Sequence, residues 1–192
     1  MMSLCFSGCS ITWGDELENQ ADRFSSIVAE KIGIAENNVS SCGISNDAII
    51  RRVVSSQPIE PVVLQLTVPS RIEYFTKDGP QMFSIQRQKK IVSYRRQMRS
   101  YYGEVNNEQH QMENLFKNVF IFEQFCYLND LKHIILFADC GTVTELHQGH
   151  WSSLCRSKIT CIWKDILGYK HRGGHPNKEE HNKIANYLLK VI

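Results

Sequence analysis

Short apolar runs alternate with longer amphipathic stretches along this chain, and the alternation predicts its elements. Leu4-Cys5-Phe6 is a brief apolar run closed by Ser7-Gly8, as a buried parallel strand would be. Between residues 21 and 33, Phe24, Ile27, Val28 and Ile32 recur at helical spacing and stop at Gly33. Asn37 to Gly43 reads as a short strand running into a turn. Ser45 or Asn46 then caps a helix carrying Ile49, Ile50, Val53 and Val54 as far as Pro58. Residues 61 to 67 give the next strand, ended by Pro69. Met112, Leu115, Phe116, Val119, Phe122 and Phe125 share one face of a long helix over 107 to 128. His133 to Asp139 is the plainest strand of all. Strands that alternate with helices predict βαβ units, and so a single α/β domain over 1–192: a three-layer α/β/α sandwich with a mainly parallel sheet.

Two regions interrupt the pattern. Residues 74 to 105 hold Arg87, Lys89, Lys90, Arg95, Arg96 and Arg99 with Tyr94, Tyr101 and Tyr102, and no acid between Asp78 and Glu104. Residues 140 to 172 are rich in Cys, His and Trp without clear periodicity. Both read as insertions over the functional edge of the sheet, the first of them basic.

Composition narrows the class. At 192 residues, with 42% apolar and 22% charged residues, the chain can bury one core unaided, and it has no apolar run long enough to cross a bilayer. A net charge of +2 does not by itself argue for a polyanionic partner. No Lys or Arg precedes the first apolar residues, and Ser7-Gly8 breaks that run early, so a cleaved export signal is not expected. The seven cysteines are odd in number and lack CxxC spacing; reduced thiols in a cytoplasmic protein fit them. His147, His150, Cys155 and Cys161 match no strong zinc spacing, so no metal and no cofactor is expected.

In an open α/β sheet, ligands bind beyond the carboxyl ends of the strands, where Ser10, Gly43, Thr67 and Asp139 are all expected. Ser10 sits in a glycine-flanked turn after the first strand. His175 stands in the loop Gly173-Gly174-His175-Pro176-Asn177 ahead of a C-terminal helix. A serine hydroxyl needs a base to take its proton, and the oxyanion that its attack creates needs preorganised donors. Ser10, His175 and the Gly43 turn can supply those parts. Asn46 divides evenly between helix capping and oxyanion duty. Arg71 either pairs with Glu73 at the surface or meets an anionic substrate at the rim. The 87–102 segment is a solvated basic face, or else a nucleic-acid surface on which the tyrosines stack.

Gly8-Cys9-Ser10-Ile11-Thr12 resembles the first motif of the SGNH (GDSL) hydrolases, with cysteine where aspartate is usual. Asn38 to Asp47 resembles the second motif, whose glycine, here Gly43, donates its N–H to the oxyanion. His175-Pro176-Asn177, followed by His181, Ile184 and Ala185, resembles the last motif. The third motif, Gly-x-Asn-Asp, is replaced by Thr67-Val68-Pro69-Ser70-Arg71. Gly173 and Arg172 stand where the acid of the triad is expected. The resemblance implies the flavodoxin-like SGNH fold and serine-dependent cleavage of a carboxylic ester, such as an O-acetyl or short acyl ester on a small molecule or carbohydrate, without a membrane partner. It makes Ser10 and His175 the catalytic pair and the Ser10 and Gly43 N–H groups the oxyanion hole; Asn46, or else Thr67, would stand in for the missing side-chain donor, and Thr67, Arg71 and Asp139 are candidates for the rim. The imidazole would then be oriented by a backbone carbonyl or by a distant acid such as Asp139 or Asp165. The altered motifs keep a rival open: a catalytically weakened binding or structural protein of the same fold. Nucleic-acid binding is the lesser alternative.

Overall fold

The computed structural model describes residues 3–58, 61–77, 79–83, 101, 107–138, 150–169 and 174–192. Five strands form one parallel sheet: β1 (Ser3–Ser7), β2 (Ala35–Asn38), β3 (Val62–Leu66), β6 (His133–Phe137) and β7 (Ile159–Cys161), in the order β2-β1-β3-β6-β7. An antiparallel hairpin, β4 (Ile72–Thr76) with β5 (Gly79–Phe83), stands apart from it.

The period-two alternation of the strands divides the core between the two faces of the sheet. Cys5, Val62, Leu64, Leu66, Ile135 and Phe137 point to the face covered by α3 (Asn46–Ser56) and α4 (Glu108–Leu128), where Ile49, Val53, Leu115, Val119 and Phe122 pack on them. Leu4, Phe6, Val63 and Leu136 point the other way, against Phe24 and Val28 of α2 (Phe24–Ile32) and Ile184, Ala185 and Leu188 of α5 (Lys178–Leu188). This is the expected three-layer α/β/α sandwich.

Helix ends follow local chemistry. Ser45 accepts from Ala48 N–H and so caps α3, Asn107 caps α4, and Asn177 and Glu180 close a capping box on α5. Three expectations shift. The second strand lies at Ala35–Asn38, starting ahead of the strand and turn expected over Asn37–Gly43; its register with β1 ends at Asn38, beyond which Val39 N–H and Ser41 N–H donate to the Phe6 and Gly8 carbonyls. Part of the 140–172 insertion is core: Ile159–Cys161 is an edge strand, too short at three residues to show a period, and Trp163 of the following π-turn (Ile162–Ile166) is buried. The 74–105 stretch opens as the β4–β5 hairpin, held to α3 by the Arg51–Glu73 ion pair and by Arg51 over the Phe75 ring at 5.9 Å. Of its basic and aromatic residues from 87 to 102, only Tyr101 is among the described residues.

Five described cysteines, Cys5, Cys9, Cys42, Cys126 and Cys155, are not in disulfides, whereas Cys161 is disulfide-bonded. That bond departs from the expectation that all seven thiols are reduced. Among the described residues, no helix is long and apolar enough to cross a membrane.

Candidate active site

The strand order places β1 and β3 side by side, with β2 on one flank and β6 on the other, so the loops leaving β1 and β3 diverge at the switch point of the sheet. The loop after β1 carries Ser10, the first residue of the short helix α1 (Ser10–Trp13), and the loop after β3 carries Thr67 and Arg71.

Gln65, the one polar residue of β3, organises the Ser10 turn. Its Oε1 accepts from Cys9 N–H at 3.0 Å and from the Thr12 hydroxyl at 3.1 Å, while its Nε2 donates to Leu66 O at 2.6 Å. Gly8 makes this approach possible: a Cβ there would lie 2.3 Å from Thr12 Oγ1 and 2.9 Å from Gln65 Cβ. The sequence reading passed over Gln65, although a lone amide inside Val62-Val63-Leu64-Gln65-Leu66 signals a buried group that needs partners. Asn38 braces the opposite side, donating from Nδ2 to Thr12 O at 3.1 Å and accepting from Ser40 N–H at 3.0 Å.

Ser10 is 6% exposed, and its hydroxyl donates to Cys9 Sγ at 3.7 Å. Burial pushes the Cys9 thiol up. Hydrogen bonds from the Thr67 and Gln65 side chains and the Ile11 backbone, together with the charge of Arg71, more than offset this and hold it below the usual thiol range.

The histidine loop folds back onto the serine loop. His175 Nδ1 lies 3.3 Å from Glu16 Oε1, and Nε2 lies 3.8 Å from Asp15 Oδ2; His175 N–H donates to Glu16 Oε2 at 3.4 Å. The Nδ1 contact has ion-pair distance without hydrogen-bond alignment, so that atom is sealed yet unbonded. Asp15 N–H in turn donates to Ser10 O at 2.9 Å. The carboxylates beside His175 therefore come from the Ser10 loop. Asp165, one of the acids considered for this role, instead accepts from Cys161 N–H at 2.8 Å, and Asp139 lies outside the described residues.

Behind the site, His181 is fully buried; its Nδ1 accepts from Phe24 N–H at 3.1 Å, and burial first, then the nearby His175, depress its pKa to about 4.

The remaining candidates divide. Gly43 has φ 74°, a left-handed turn position that explains why glycine stands there. Asn46 does not cap α3. Its amide straps the end of β3, donating to Thr67 O at 3.1 Å and accepting from Thr67 N–H at 2.8 Å. Thr67 is buried at 2% exposure. Arg71 does not pair with Glu73, whose carboxylate Arg51 takes, and Arg71 Nη1 is sealed from water without a hydrogen-bond partner among the described residues. Trp13, 42% exposed, stands on α1 beside the serine. Among the described residues, no group of three or more His, Cys, Asp or Glu side chains could hold a metal ion.

No family model and no curated protein matches the chain. Its backbone is similar to that of a G-D-S-L family protein from Desulfitobacterium hafniense DCB-2, with a TM-score of 0.57 and 11% identity over 100% of both chains. The psychrotrophic esterase EstA from Pseudoalteromonas sp. matches with a TM-score of 0.58 and 12% identity over 99% of this chain and 96% of that one. A family two carbohydrate esterase from Clostridium thermocellum, solved with cellohexaose, matches all of this chain and 63% of its own length, with a TM-score of 0.53 and 15% identity. At such identities the likeness assigns the fold, which is that of the GDSL lipolytic proteins and carbohydrate esterases.

Proposed function

We propose that this chain, carrying the GDSL lipolytic fold, is a divergent SGNH hydrolase that cleaves a carboxylic ester through Ser10 and His175. The observation that carries the reading is the docking of the histidine loop on the serine loop: His175 touches Asp15 and Glu16, and Asp15 is hydrogen-bonded to Ser10. Segments 159 residues apart meet beside the Ser10 turn, at the switch-point end of the sheet where ligands bind in such folds.

In the proposed reaction, His175 Nε2 takes the Ser10 proton as Oγ attacks the carbonyl carbon of the ester. The oxyanion so formed is met by the N–H groups of Ser10 and Gly43. The imidazolium returns its proton to the departing alcohol, and water, deprotonated by the same imidazole, releases the acid and frees Ser10. To reach Ser10 the ring has to leave Asp15, and the 3.8 Å contact it gives up is longer than a hydrogen bond. Glu16, on the Nδ1 side, fills the orienting role for which the histidine's own loop has no acid. An acyl group on a carbohydrate is the favoured substrate, since Trp13 offers an exposed aromatic face beside Ser10 and the fold is shared with carbohydrate esterases.

The Ser10 hydroxyl points at Cys9 Sγ, which favours a second reading: a protein of this fold that binds but turns over poorly. One experiment separates the two. An active hydrolase cleaves p-nitrophenyl acetate, takes up a fluorophosphonate at Ser10 and loses both properties in Ser10→Ala. A purified protein that cleaves nothing and takes up no probe is the binding scaffold.

A further inference from the structure

The loop between β3 and β4 holds a cation that the proposed chemistry leaves unexplained. Arg71 has lost its obvious partner to Arg51, and among the described residues no carboxylate lies within ion-pair range of it. One of its guanidinium nitrogens, Nη1, is closed to water and has no hydrogen-bond partner among the described residues. A guanidinium N–H shut off from water without an acceptor is unfavourable, and because the rest of the Arg71 side chain is only half-buried, an anion can reach the group and complete it. Its location is informative as well. Arg71 follows β3 at the switch point, across from the Ser10 turn, and acts electrostatically on Cys9, the neighbour of Ser10. Guanidinium is the side chain best shaped to grip a carboxylate or phosphate.

We propose that Arg71 forms an anion subsite of the Ser10 centre, so that the preferred substrates are esters bearing a second, negatively charged group, a carboxylate or a phosphate. This rests on the Ser10–His175 reading above. The transient oxyanion of the reaction is a different ligand, and the test distinguishes the two: an oxyanion donor serves every ester equally, whereas a substrate subsite serves only the charged ones.

The experiment compares mono-p-nitrophenyl succinate with p-nitrophenyl butyrate, which differ chiefly by the terminal carboxylate. In the wild-type protein kcat/KM favours the succinate ester. Arg71→Gln lowers the succinate-to-butyrate ratio by about ten- to a hundredfold, and Arg71→Lys restores part of it. A ratio unchanged in Arg71→Gln overturns the proposal, including the case in which both esters fall together. Binding is read separately on the Ser10→Ala protein by calorimetry with succinate and with inorganic phosphate, which also distinguishes carboxylate from phosphate. Anion binding that Ser10→Ala keeps and Ser10→Ala/Arg71→Gln loses supports the subsite even if no ester is cleaved. Absence of binding of either anion to Ser10→Ala overturns it whatever the esterase activity. If Arg71→Gln fails to give a cooperative melt, Arg71→Lys carries the same two comparisons.

Discussion

His181 makes the fold sensitive to mild acid, by an amount that can be worked out. Its ring is fully buried, stacked on Phe24 at a 5.8 Å centroid separation, with Nδ1 accepting from the first N–H of α2. Nδ1 therefore carries no proton in the folded state, and protonation there would break the bond to Phe24. Burial is the main cause of its depressed pKa, His175 adds to it and Asp22 opposes it, leaving a value of about 4 against 6.5 for the unfolded chain. For a histidine depressed in this way the sign is fixed. Above pH 6.5 both states are neutral and nothing is lost; as pH falls from 6.5 towards 4 the unfolded chain takes up a proton that the folded one refuses, and stability drops. Proton linkage puts the loss at about 2 kcal/mol between pH 7 and pH 5, rising to roughly 3 kcal/mol by pH 4. For a chain of this length the first figure is roughly 4–8 °C in Tm. Urea unfolding followed by tryptophan fluorescence at pH 7 and pH 5 measures it. His181→Asn, which keeps an acceptor for Phe24 N–H and cannot titrate, should remove most of the drop. The reasoning is refuted if His181→Asn loses as much stability between the two pH values as the wild type does, or if an NMR titration finds His181 near 6.5.

Other consequences are simpler. Gly8→Ala drives a methyl into Thr12 Oγ1 and the Gln65 side chain, so it should cost about 1–3 kcal/mol, or roughly 2–12 °C in a thermal melt, and an unchanged Tm would contradict the contact. Because the Glu16 side chain is 64% exposed, solvent screens it: Glu16→Gln should lower kcat about tenfold with little change in KM, far less than the roughly ten-thousandfold typical of a buried triad acid. Equal kcat values in the variant and the wild type would remove Glu16 from the mechanism. With five described cysteines outside disulfides among seven in the chain and Cys161 bonded, iodoacetamide should label five thiols in the denatured, unreduced protein and seven after reduction, counted by intact mass. Seven labels before reduction would show that the bond does not form in solution.

The layer order was legible because burial imposes a period. Leu4 and Phe6 had to lie on one face and Cys5 on the other, and the α4 stripe of Met112, Leu115, Val119 and Phe122 had to meet a sheet. Ser10 and His175 stand out in the sequence for another reason: a polar residue in a glycine-bearing turn at the end of an element is a candidate for chemistry. Long-range pairing was not legible. That Glu73 goes to Arg51 and leaves Arg71 bare, that Asn46 straps Thr67 instead of capping α3, and that Glu16 reaches a histidine 159 residues away all depend on which loops the sheet order sets side by side. Local periodicity records which side of an element faces inward. It holds nothing about which ends become neighbours, and so the sequence by itself determined the layers, while only the tertiary structure decided which charges gather around Ser10 and His175.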